Sequence, residues 1–110
     1  MRRVSCDQFE FTPPDAEESL ELVISSPRQH TDLATLLASC GASSAAAPPP
    51  PRNWQRWVAV ADHLHRFAGI KLPHPRQWRE AMLISDEWHD LELGIAFESI
   101  LVWYHWFTTA

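Results

Sequence analysis

At 110 residues the chain has room for one domain, or one domain with an appendage, and its 45% apolar content is enough to build a core. A formal net charge of −5 argues against a non-specific nucleic-acid binder, which needs a basic footprint. The two cysteines, Cys6 and Cys40, are too few for a secreted disulfide scaffold, and they pair only if the fold brings them together.

The opening MRRVSCDQFEF has a basic start but no apolar run behind it, which reads as no signal peptide. From Val4 onward the chain reads as extended, with Phe9 and Phe11 alternating with Gln8, Glu10 and Thr12. Pro13, Pro14 and Asp15 break the run. Leu20, Leu22 and Ile24 then fall on one face, with Ser19, Glu21, Val23 and Ser25 on the other. The pattern predicts an antiparallel hairpin of residues 8–12 and 19–25. The rival is a helix from Pro14 that carries Ala16, Leu20, Val23 and Ile24 on one face. A hairpin alone is barely stable in water, so its apolar face must pack on helices.

Pro27 ends that element. Thr31 is placed to cap a helix through Leu33, Leu36, Leu37 and Cys40, with Gly41 as its stop. Residues 41–52, GASSAAAPPPPR, hold four consecutive prolines and read as a semi-rigid spacer of polyproline II character. The spacer divides the chain into 1–40, a hairpin plus a short helix, and 53–110, a Trp-rich helical domain. Asn53 would cap the next helix, with Trp57, Val60, Ala61, Leu64, Phe67 and Ala68 along one stripe and its end near Gly69. Pro73 and Pro75 bracket a turn. A short helix is expected after it, with Trp78, Met82 and Leu83 inward.

The heaviest apolar load lies in residues 86–107, DEWHDLELGIAFESILVWYHWF. At helical spacing its polar residues line up through Glu87, Asp90, Gly94, Glu98 and His105, which predicts a central helix with one wet stripe. Ser85 would be its N-cap, and Asp86 and Glu87 suit the positive helix end. A glycine inside a helix costs ~1 kcal/mol against Ala, so Gly94 points to close approach of another element. Residues 93–107 fall short of the ~20 needed to span a bilayer and include Glu98 and His105. The expectation is a soluble, cytoplasmic protein that is not membrane-bound. The fold expected is α+β and mostly α, an N-terminal β-hairpin packed on a small helical domain, with an all-α fold as the alternative.

No motif carries a recognisable reaction. His63 and His65, two apart on a helix, face different sides and cannot chelate one ion. His89 and Glu92 have a ligand-like spacing, but no matching pair comes from another helix, so no metal or cofactor is expected. Cys40 falls at a helix C-terminus, the wrong end for a thiolate. Gly41, Gly69 and Gly94 are too scattered for a phosphate-binding loop. The carboxylates of Asp86, Glu87 and Asp90 fall on an exposed helix start, without the burial that acid–base catalysis demands.

Charge is distributed unevenly. Residues 52–79 hold six bases against Asp62, and residues 80–110 hold six acids with no Lys or Arg. An acidic face beside tryptophan suits a protein partner with a basic surface, because aromatics anchor interfaces and acids steer association. The candidate contact residues are Asp86, Glu87, Trp88, Asp90 and Trp54. The alternative is a nucleic-acid-associated protein that uses the bases and tryptophans of residues 52–79. A third class, a small hydrolase, would centre on His89.

The stretch FEFTPPDAEESLELVISSPRQHTDLATLLA resembles the start of bacteriophage tail assembly chaperones, which begin with a short hairpin, a proline and a helix. The resemblance covers about a third of the chain and carries over no functional residue. Short, acidic, aromatic-rich accessory proteins of phages and mobile elements, anti-CRISPR inhibitors among them, are similar in character. The implied function is a non-enzymatic inhibitor or assembly factor that docks on a protein.

Overall fold

Apolar residues that recur every second position demand burial on one sheet face, and a run apolar at every position demands burial on both. The chain meets both demands in a five-stranded antiparallel sheet. In the computed structural model, residues 2–7, 18–41, 54–74 and 77–108 are described. The strands are β1 (Arg2–Asp7), β2 (Glu18–Ser25), β3 (Glu80–Glu87), β4 (Asp90–Phe97) and β5 (Ile100–Thr108), and the helices are α1 (Leu33–Ser39) and α2 (Trp54–Ala68). The strand order is β1-β2-β5-β4-β3, every neighbour antiparallel.

The sheet therefore has two covered faces. Val60, Leu64 and Ala68 of α2 form one core with Leu20, Leu22, Leu91, Leu93, Ile95, Phe97, Val102 and Tyr104. Leu33, Leu36 and Leu37 of α1 form the other with Val23, Ala96, Leu101 and Trp103. Consecutive residues of β5 alternate between the two cores, which is why ILVW reads as an unbroken apolar run. The seven residues of α1 are too few to hold a helix in water unaided. Its three leucines are buried, each worth roughly 1.5–3 kcal/mol.

This architecture overturns the mostly helical fold expected from the sequence. Residues 86–107 are not a central helix; they hold the end of β3, all of β4 and most of β5. The line from Glu87 to His105 mimicked a 3.6-residue period because two short turns interrupt a two-residue alternation. Asp90 and Glu92 alternate with buried Leu91 and Leu93. The turn at Glu98 and Ser99 then resets the phase. Neither turn carries the Asn-Gly or Asp-Gly signature of a tight hairpin. Glu98 adopts φ 49°, a left-handed conformation that its side chain does not favour.

The short helix expected with Trp78, Met82 and Leu83 inward does not form among the described residues. Met82 and Leu83 belong to β3, and Ser85 lies within that strand instead of capping a helix. Ile84 is an extra residue between the paired positions Leu83↔Leu93 and Ser85↔Glu92, a bulge that shifts the register.

The helix expected after Thr31 begins one residue later. Asp32 is its N-cap, accepting from the Thr35 N–H at 2.8 Å and the Thr35 hydroxyl at 2.7 Å. These bonds, the hydroxyl's first, hold the Asp32 carboxyl below its ordinary value. Gly41 and Gly69 follow the two helices at φ 77° and 69°, the left-handed stop that glycine favours. The strand expected at 19–25 forms as β2, which pairs with β1, while the strand expected at 8–12 lies outside the described residues. So do the spacer residues 42–52 and the expected cap Asn53.

Candidate functional site

Four of the five candidate contact residues lie on one hairpin. Asp86 and Glu87 end β3, Trp88 and His89 form the two-residue turn, and Asp90 opens β4. Trp88 is 72% exposed, with its ring 4.9 Å from that of His89. Asp86, Glu87 and His89 are exposed as well. The tip is tied to the sheet, because the Thr108 N–H donates to the His89 carbonyl at 2.9 Å. The side chain of the fifth residue, Trp54, is outside the described set.

Strand pairing carries the acidic character from the tip onto the sheet face that α1 partly covers. One cross-strand row runs Glu87↔Asp90↔Phe107↔Ser19, and the next runs Ser85↔Glu92↔His105↔Glu21. Within these rows His105 Nε2 lies 3.2 Å from Asp90 Oδ2. The buried Trp103 donates its indole N–H to Glu92 Oε2 at 2.9 Å. The His105 ring lies between the Trp103 and Phe107 rings, at centroid distances of 5.8 and 4.8 Å.

Sequence reasoning grouped His89 with Glu92 at helical spacing. The sheet instead puts His89 in the turn and brings His105 across to Glu92. On strands, residues 90 and 92 share a face, and a cross-strand partner supplies the third group. The alternation of Asp90 and Glu92 with Leu91 and Leu93 was the signal available for that arrangement.

A second polar cluster joins β2 to α1. Ser25 Oγ lies 2.6 Å from His30 Nδ1, and His30 Nε2 lies 3.2 Å from Ser39 Oγ. Ser39 donates its hydroxyl proton to the Leu36 carbonyl at 2.7 Å. With its hydroxyl proton on the Leu36 carbonyl, Ser39 is left to accept from His30 Nε2, while Ser25 Oγ also lies 3.5 Å from Gln29 Oε1. That proton order makes Ser39 an acceptor and not a nucleophile activated by His30, and Ser25 is 5% exposed. The cluster is a clasp between two elements. Cys40 follows at the helix end, and burial pushes its thiol up, away from the reactive thiolate.

The basic stretch contributes Arg66, whose guanidinium lies 5.2 Å from the Phe67 ring centroid, and the exposed Lys71 and Arg79. Arg52 and Arg76, and the side chain of Arg56, lie outside the described set. Among the described residues no helix is long and apolar enough to cross a membrane. Comparison with known proteins finds no matching family model, no matching curated protein and no matching solved structure.

Proposed function

We propose that this chain is a non-enzymatic, cytoplasmic accessory protein that docks on a protein partner through the β3–β4 hairpin tip. The observation that carries this reading is Trp88, a large aromatic that is 72% exposed on a two-residue turn between paired strands. Such a side chain gains most by entering a pocket on a partner, where tryptophan is a frequent hot spot. Asp86 and Glu87 beside it favour a partner whose contact surface is basic and would raise the rate of encounter. An inhibitor or an assembly factor uses a surface of this kind, in keeping with the resemblance to phage accessory proteins.

The test is a parallel pull-down from the native host with three tagged full-length chains: the natural sequence, Trp88→Ala, and Asp86→Lys with Glu87→Lys. The natural chain should recover a protein in stoichiometric amount, and both variants should lose it while keeping the natural circular dichroism. Equal recovery by all three, or recovery by none, overturns the reading.

A further inference from the structure

We propose that Asp90, Glu92 and His105 form a binding site for one divalent transition-metal ion, with Zn²⁺ the best-suited occupant. Each of the three offers a ligand atom, and these atoms lie within 4.8 Å of one another. A modest closure around an ion would bring them to the separations that metal–ligand bonds of ~2.0–2.2 Å require.

The cluster mixes one imidazole with two carboxylates, and neighbouring groups already orient it. The Trp103 N–H fixes one oxygen of Glu92 and leaves Oε1 for a ligand bond. Trp103 and Phe107 flank the His105 ring and hold its plane. Outer contacts of this sort orient metal ligands and tune their basicity.

A second observation concerns Asp90. Its side chain is 30% exposed, yet its Oδ1 is buried and has no hydrogen-bond partner among the described residues. A buried carboxylate oxygen without a partner is costly, and an ion held by both Asp90 oxygens would engage it beside Oδ2, the oxygen that faces His105. Glu21, opposite His105 on the other flank, adds negative charge beside the cluster.

The donor set selects the class of ion. One nitrogen and two carboxylates suit zinc or another first-row ion better than Mg²⁺ or Ca²⁺, which favour all-oxygen shells. Three protein ligands leave a position for water or for a donor from another molecule. The site does not depend on the docking role of Trp88.

The experiment is calorimetric titration of the full-length chain with zinc chloride, paired with nitrogen NMR of the histidine rings. Uptake of one ion per chain is expected, with His105 Nε2 as the shifted nitrogen. Glu92→Gln and His105→Gln should each weaken binding by about tenfold or more, whereas His89→Gln keeps the natural affinity. Glu92→Gln retains an oxygen for the Trp103 N–H, so it tests the site even if His105→Gln fails to fold. Absence of stoichiometric uptake, or uptake undiminished by Glu92→Gln, overturns the proposal; so does loss of binding in His89→Gln alone.

Discussion

His63 Nδ1 lies 2.7 Å from the Tyr104 hydroxyl, a buried hydrogen bond that pins α2 to the central strand β5. The two rings stack within 12° of parallel at 5.9 Å. Both residues belong to the packed interior, His63 at 5% and Tyr104 at 1% exposure. Tyr104→Phe removes one partner and leaves the imidazole nitrogen without its phenol. The expected cost is about 1–3 kcal/mol of folding stability, measured by urea denaturation at pH 8.

The same histidine makes stability depend on pH. Burial pushes its pKa below the ordinary value of 6.5, because the charged ring is poorly solvated there. Below pH 6.5 the unfolded chain takes up a proton that the folded chain resists. The contribution of His63 is thus fully present above that pH and lost progressively as pH falls toward the folded-state value. Denaturation curves between pH 8 and pH 5 should show a steeper loss for the natural chain than for His63→Gln. Parallel losses would remove His63 from the pH response.

Gly94 is the point where α1 meets β4. A Cβ built there would lie 2.9 Å from Leu37 Cδ2 and 3.0 Å from Leu33 Cδ1. Gly94→Val should therefore destabilise by about 1–3 kcal/mol through overpacking. The clash is with leucine methyls, so shortening the facing side chain should relieve it. In a double-mutant cycle, Gly94→Val combined with Leu37→Ala should cost less than the sum of the two single changes. Simple additivity would show that α1 does not rest on Gly94.

The turn between β4 and β5 stores strain at Glu98, the one non-glycine with positive φ among the described residues. Glycine adopts that conformation without a Cβ penalty, though it loses more chain entropy on folding. Glu98→Gly should leave the fold intact and stabilise it by up to about 1 kcal/mol, read as a higher midpoint in thermal denaturation.

The local signals in this sequence were more legible than its global period. Gly41 and Gly69 marked both helix ends, and Leu33, Leu36 and Leu37 marked a buried helical face. Gly94 signalled a close approach whether its element was helix or strand. Residues 86–107 misled because β5 is covered by a helix on each side, so its buried residues show no alternation. The turns Trp88-His89 and Glu98-Ser99 lack Gly, Pro and Asn, so nothing marked them as breaks. The acidic tip was visible as a local run of charge around Trp88, whatever its secondary structure. The His105–Asp90 contact was not, because it depends on the register of β4 against β5, which brings together residues fifteen apart in sequence.

The most direct test of the docking role places a photo-crosslinking amino acid at position 88 in cells of the native host. Position 58 is the control, since Val58 is 66% exposed and belongs to α2 instead of the hairpin. Illumination should yield one discrete protein adduct from position 88 and none of that mass from position 58. No adduct from position 88, or the same adduct from both positions, would contradict docking through the hairpin tip.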